Sequence, residues 1–412
     1  MGGFTVVATF VGSGDDVLMG ERADRVHRAA RLGGIAPFHV MDLLAKAQAL
    51  EGIGRPVIHL EIGEPDFATP EPIVRAGQIA LAQGRTRYTP AAGLPALREA
   101  ISQFYLQRYG VRVPAARIVV TPGASGALLL ALATLTGSQQ KVLLTDPGYP
   151  CNRHLIEFLD GVPVNVPVEA TTQFQLSAAL CSEHWDDATV AALVSTPSNP
   201  TGTVISDDEM RALIDVARQR NGRLIVDEIY HGLVYDAPPQ TALAFSDDVF
   251  VVNSFSKYFG MTGWRLGWVV APEAYVDDVE KLAQNVFLAP STVAQHAALA
   301  AFLPETLDIL ERRRHALAQR RDFLVPALRE LGFAVPITPS GAFYVYASCP
   351  DGVVDSYRYA LNALEQCAVA IAPGIDFGRH RAQTHVRFAY TTDIARLTEA
   401  LERLRAWHHR TA

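Results

Sequence analysis

Leu224-Ile225-Val226-Asp227-Glu228-Ile229-Tyr230 opens on an aliphatic run closed by an acid, and its reading decides the fold. Aliphatic residues without polar alternation mark a strand covered on both faces, as in a parallel sheet held between two layers of helices. Runs of the same kind flank it: Ile118 to Val120, Val142 to Leu144, Ala191 to Val194, Val249 to Val252 and Leu266 to Val270. Each is followed by small or polar residues and then by a helical pattern. This predicts an α/β chain whose large domain has three αβα layers around a mainly parallel sheet. Ligands of such sheets collect at the carboxyl ends of the strands. Those ends carry Thr121 to Gly126, Asp146 to Pro150, Ser195 to Gly202, Asp227 to Tyr230 and Ser254 to Lys257.

Beyond Pro290 the texture changes. A helical pattern from Ser291 to about Leu331, broken near Pro304, precedes strand-like Phe333 to Val335, Gly341 to Tyr346, Val369 to Ile371 and His385 to Phe388, and a helix closes the chain. A helix over Val40 to Leu50 and a strand over Val57 to Leu60 are expected to join this smaller α/β lobe. The expected division is an N-terminal extension over 1–33, a small domain from 34–70 and 306–412, and a large domain over 71–305. The cleft between lobes is the expected site.

Composition removes several function classes. A formal charge of -7 without a basic tract leaves no electrostatic footprint for nucleic acid. No apolar stretch reaches the length of a membrane span, and Ala127 to Thr136 reads as a core helix. Cys151, Cys181, Cys349 and Cys367 show neither CxxC nor Cys/His spacing, so no metal site and no disulfide framework is expected, and a reducing cytoplasm fits. Thr5 to Val11 is mildly apolar, but it lacks a basic flank and is followed by Asp15-Asp16, which reads as an extension rather than a signal peptide. Gly12-Ser13-Gly14 lacks the third glycine and the βαβ context of a dinucleotide site.

Only four lysines stand in 412 residues, so covalent imine chemistry has few amines to draw on. Lys46, Lys141 and Lys281 have the settings of solvated charges. Lys257 instead lies in Ser254-Phe255-Ser256-Lys257-Tyr258-Phe259-Gly260-Met261-Thr262-Gly263-Trp264-Arg265, where hydroxyls, glycines and a guanidinium crowd around it. Gly123-Ala124-Ser125-Gly126 joins a strand to an apolar helix, so free N–H groups and the positive helix end would meet an anion there. A plain helix cap is the ordinary reading of that turn. Ser254, Ser256 and Arg265 add donors suited to a phosphate dianion. Asp227 at the end of a buried strand needs a cation or several donors; a helix cap is one answer, and a protonated pyridine nitrogen is another. Tyr230 and Asn199 could then donate to a phenolic oxygen, although as isolated residues both read as packing or turn residues.

Ser198-Asn199-Pro200-Thr201-Gly202, Asp227-Glu228-Ile229-Tyr230 and Ser254-Phe255-Ser256-Lys257 follow one another with 28 residues from Asn199 to Asp227 and 30 from Asp227 to Lys257. In this the chain resembles the class I/II aminotransferases, the fold-type I enzymes that use pyridoxal 5′-phosphate. Gly63-Glu64-Pro65-Asp66-Phe67, Tyr88-Thr89-Pro90, Asp146-Pro147-Gly148-Tyr149-Pro150 and Arg387 in His385-Val386-Arg387-Phe388 extend the likeness over about 35 to 400. The resemblance implies an aspartate-aminotransferase-like fold and a ping-pong exchange of an amino group between an L-amino acid and a 2-oxo acid. It implies that Lys257 carries the internal aldimine and then moves the substrate's α-proton. Asp227 would hold the ring nitrogen, Asn199 and Tyr230 the phenolic oxygen, and Tyr149 would stack on the ring. Ala124, Ser125, Ser254 and Arg265 would hold the phosphate, together with Tyr88 from the neighbouring subunit of a homodimer. Arg387 would grip the substrate α-carboxylate as a planar fork, and Gly63 would let backbone approach the same group.

The same scaffold could instead run a β-eliminating C–S lyase, which also needs Lys257. A cofactor-sensing transcription regulator would need a winged-helix module, for which the residues before Ile35 are too few. Side-chain choice is expected from Ile35 to Phe38, Tyr88 and Phe287-Leu288-Ala289. No second arginine for a distal carboxylate stands out, although Arg85 and Arg87 adjoin Tyr88, and neutral or aromatic donors are favoured.

Overall fold

A computed structural model describes residues 29–237 and 239–411. Most of the 1–33 extension, including the 5–11 stretch and Gly12-Ser13-Gly14, lies outside the described residues. The strands, in chain order, are β1 (Ile58–Leu60), β2 (Ile118–Thr121), β3 (Lys141–Asp146), β4 (Val162–Pro167), β5 (Thr189–Ser195), β6 (Arg223–Asp227), β7 (Phe250–Ser254), β8 (Gly267–Val270), β9 (Tyr344–Ser348), β10 (Val369–Pro373) and β11 (His385–Ala389).

Seven of them form one sheet in the order β2-β8-β7-β6-β5-β3-β4. The run that decided the fold is its middle strand, with Val226 of β6 opposite Val194 of β5 and Val251 of β7. Helices cover both faces, so these aliphatic residues are buried and contribute on the order of 1.5–3 kcal/mol each. The crossover helix Gly123–Leu135 packs on β7 and β8 and is apolar nearly all round, as a helix within a core must be. The helix Asp207–Gln219 is two-faced. Met210, Leu213, Ile214 and Ala217 face inward at helical spacing, and the Ser206 hydroxyl caps its start by accepting from Glu209 N at 3.3 Å.

Two features of this sheet depart from the sequence reading. β8 runs antiparallel to both β2 and β7, which its sequence does not reveal because a strand buried on both faces has the same pattern in either direction. β4 was not anticipated: Pro163 and Pro167 break its pattern, and it tolerates them because it is an edge strand with β3 as its one neighbour.

The second sheet has the order β1-β10-β11-β9, with β1 parallel to β10 and the remaining pairs antiparallel. The chain passes from the helix His39–Gly52 through β1 to the large sheet, and returns only after the helix Pro304–Glu330. Pro304 stands at the start of that helix, where a missing N–H costs nothing. The expected strand at Phe333 to Val335 reduces to one isolated bridge, Ala334 to Ser348. No helix among the described residues is long and apolar enough to cross a membrane.

An aromatic cluster under β8 joins sheet to helices: Phe255 lies 5.0 Å from Trp268 and 5.1 Å from Phe259 between ring centroids. Trp268 Nε1 donates to Tyr105 Oη at 3.1 Å with both side chains fully buried. Tyr105→Phe would strand that indole N–H, and urea unfolding is expected to show a loss of about 1–3 kcal/mol.

Candidate active site

The carboxyl ends of β5, β6 and β7 and the start of the helix Gly123–Leu135 open onto a cavity of about 320 Å³, closed on its other side by β11 and by the helix His39–Gly52. Lys257, Asp227, Asn199, Tyr230, Tyr149, Ala124, Ser125, Arg265, Gly63 and Arg387 all line it. Residues separated by more than 300 positions in the chain thus meet in one chamber.

Lys257 follows β7 and reaches across the chamber, where its Nζ donates to Gly63 O at 2.8 Å. Burial lowers its pKa to about 8, and the neighbouring guanidinium groups of Arg387 and Arg265 push the same way against Glu64 and Asp227. The amine can therefore be neutral, and so nucleophilic or basic, near neutral pH.

The anion end is built from backbone. No side chain caps the helix Gly123–Leu135 at Pro122, so its first N–H groups have no capping acceptor. Gly123 has φ +72, and a Cβ there would lie 2.7 Å from Arg265 Nη2. The absent side chain makes room for the guanidinium directly over the helix start. Arg265 itself is in the left-handed region, φ 54, and its Nη1 is tied to Thr262 O at 3.2 Å. Ser256 and Thr262 complete this wall. Ser254 does not reach it: its fully buried hydroxyl sits between Leu266 O and Ser256 Oγ, each at 3.0 Å.

Asp227 ends β6. Desolvation raises its carboxyl to about 7, opposed by one backbone donor, Ile229 N at 3.0 Å, and by the charge of Lys257. Tyr230 Oη lies 3.0 Å from Tyr344 Oη, the two rings meeting edge to face. At the opposite end, Arg387 on β11 is buried, with Nη1 donating to Asn199 Oδ1 at 2.9 Å and Nη2 to Glu61 O. The rings of Tyr344 and Phe377 stand 4.2 and 4.7 Å from its guanidinium carbon. Its Nε is buried with no hydrogen-bond partner. That orphan donor marks where an acceptor is wanted.

Against this geometry, the family model for aminotransferase class I and II matches residues 55–404. The chain belongs to the class I and II aminotransferases. Among curated relatives of this aminotransferase, a valine–pyruvate aminotransferase of Mycobacterium tuberculosis is 37% identical, over 92% of this chain and 98% of its own. A probable aspartate/prephenate aminotransferase of Aquifex aeolicus is 34% identical, over 92% and 97%. A crystal structure of an aminotransferase from Mycobacterium tuberculosis superposes with a TM-score of 0.88 at 37% identity, covering 92% of this chain and 98% of that one. The architecture is the fold-type I one expected from the motifs, and the enzyme is a transaminase. No finding favours the C–S lyase.

Some expected positions lie elsewhere in the aminotransferase. Tyr88 is 83% exposed and takes no part in the cavity wall of its own chain. The Phe287 to Ala289 loop is outside the wall as well, whereas Phe38 lines it. Gly63 serves through its carbonyl, and a Cβ on it would lie 2.2 Å from Tyr344 Oη. Tyr344, Asp376 and Phe377 are wall residues that the motifs did not expose. Asp376 accepts from His39 N and Val40 N, each at 2.8 Å, and so fastens the start of the helix His39–Gly52.

An acid whose pKa rises on folding stabilises the fold below its unfolded value near 3.8, and loses that contribution as the pH climbs through about 7. In the protein without added ligand, Asp227→Asn is therefore expected to exceed wild type in urea stability by on the order of 3 kcal/mol at pH 8 and to match it near pH 4.

Proposed function

We propose that this aminotransferase holds pyridoxal 5′-phosphate, the cofactor its family uses, in the cavity described, and exchanges the amino group of a neutral L-amino acid with a 2-oxo acid. The observation that carries the reading is the convergence of Lys257, Asp227, Arg387 and an uncapped helix start on one chamber. The residues fit the group: a cradle under Arg265 for a dianion, an amine near pKa 8 for an aldehyde, and a desolvated carboxyl for a ring nitrogen. Once bound, the cofactor supplies a carbonyl for the substrate amine and an electron-withdrawing ring.

The chain's own groups do the rest. Lys257 Nζ, released from Gly63 O, takes the proton from the substrate Cα and delivers one back in the reverse half-reaction. Asp227 accepts from the ring nitrogen, and a cation there restores the ionised form that burial alone disfavours. Asn199 already accepts from Arg387 through Oδ1, which leaves its amide N–H for the phenolic oxygen, while Tyr230 donates there and accepts from Tyr344. Tyr149 packs on the ring face. Ala124 and Ser125 N–H, the Ser256 hydroxyl and Arg265 hold the phosphate, with Ser254 ordering Ser256 from behind. Arg387 receives the substrate carboxylate through its unpartnered Nε and remaining N–H groups.

Support for a neutral substrate comes from the wall. Phe38, Val40, Met41, Leu44 and Ile62 are apolar, and among the described residues Lys257, Arg265 and Arg387 are its only Lys and Arg side chains. Tyr88, exposed in one chain, completes the phosphate site of a second in a homodimer. A small domain over 34–70 and 306–412 and a large domain over 71–305 are supported by one sheet falling in each. The unpaired cysteines suit the reducing cytoplasm.

Given L-valine or L-phenylalanine alone, the holoenzyme is expected to convert one equivalent per site and stop until a 2-oxo acid is added. With an S-alkyl-L-cysteine in their place, sustained release of the thiol, pyruvate and ammonia without that acceptor would contradict transamination. L-Aspartate should react at least tenfold more slowly in kcat/KM. Lys257→Ala is expected to retain pyridoxal phosphate in equilibrium dialysis while its exchange, followed by absorbance, falls by 10³-fold or more.

A further inference from the structure

One carboxylate ties the two sheets together beside the chamber. Asp146, the last residue of β3, is buried and is not part of the cavity wall. Its oxygens accept from Arg379 N at 3.0 Å and from His380 N at 3.2 Å. The fit is so close that a Cβ on Gly378 would lie 1.7 Å from Asp146 Oδ1. Nearby, Gly148 N donates to Phe377 O at 2.8 Å, and Arg153 Nη2 to Asp376 O at 2.9 Å. Farther along, His380 Nε2 meets Glu169 Oε1 at 2.9 Å. Residues 376–380, between β10 and β11, are thus strapped to the end of β3 and the helix Pro150–Phe158 of the large sheet.

Arg387 must be registered with both sheets, since it rises from β11 yet shares Nη1 with Asn199, which follows β5. The Phe377 ring, 4.7 Å from its guanidinium carbon, is the part of the strap that meets it. We propose that Asp146 is a positioning residue for substrate binding: by holding the strap on the large sheet it sets Phe377 against Arg387 and so aims the guanidinium. This rests on the assignment of Arg387 to the substrate carboxylate. A charged acceptor holds two N–H groups more firmly than an amide does, and no side chain at 378 could share the space.

Asp146→Asn keeps the size of the side chain but turns a donor toward one of the two N–H groups. The expected result is a rise of about tenfold in KM, equal for amino acid and 2-oxo acid because both present the same carboxylate, with kcat within about twofold and the absorption spectrum of the holoenzyme unchanged. Phe377→Leu should raise KM similarly, and the double variant should be no worse than Phe377→Leu alone, because Asp146 acts through that ring. An unchanged KM in Asp146→Asn, or additive effects in the double variant, overturns the proposal. Should Asp146→Asn yield no soluble holoenzyme, Arg153→Gln, which cuts the strap at Asp376 O, enters the same cycle with the same two outcomes. Arg387→Lys separates the layers: no change in KM there refutes the carboxylate assignment itself, whereas additivity beside a weakened Arg387→Lys refutes only the role of Asp146.

Discussion

The desolvated carboxyl at the end of the middle strand is the constraint around which the site is organised. Asp227 and Glu228 are consecutive acids, both buried, both raised by desolvation, to about 7 and about 8. Strand geometry sends their side chains to opposite faces. Glu228 finds the Thr241 hydroxyl and Ala242 N and becomes part of the core. Asp227 finds one backbone N–H and is left with an unmet demand facing the chamber. Two residues of similar chemistry thus divide, one into the core and one into the chamber wall, according to which side of the sheet they face.

A second theme is the placement of positive charge at both ends of the chamber. Arg265 over the helix start and Arg387 on β11 put a guanidinium at each end, and Lys257 stands within the field of both. Their repulsion adds to burial in favouring the neutral amine. On the function proposed above, the two groups that take the anions therefore also prepare the base.

Legibility in the sequence followed the locality of each signal. The strand runs could be read because burial on both faces leaves an unbroken aliphatic pattern, but that pattern carries no direction, which hid the antiparallel β8. Lys257, Asp227, Asn199 and Arg387 were legible because each lies in a compact block at a strand end or within a strand. Tyr344, Asp376 and Phe377 were not, because what they do depends on partners far along the chain: a guanidinium at 387, the N–H groups of 39 and 40, and a carboxylate at 146. Ser254 and Ser256 could not be separated by composition, since only the turn after β7 decides which hydroxyl faces the chamber. The exposed position of Tyr88 is of the same kind: one chain alone gives it nothing to touch in the site.

The closeness of Gly63 to Tyr344 has a consequence for how the enzyme can diversify. With the tyrosine hydroxyl 2.2 Å from where a β-carbon would sit, any side chain at 63 would have to displace the Tyr344 hydroxyl that pairs with Tyr230. The start of the helix His39–Gly52 and the residue before it bring Phe38, Val40, Met41 and Leu44 to the chamber, and Met41 is also open to solvent. On the function proposed above, substrate preference is therefore open to change through a few residues of one short segment, while Gly63 and Tyr344 constrain each other.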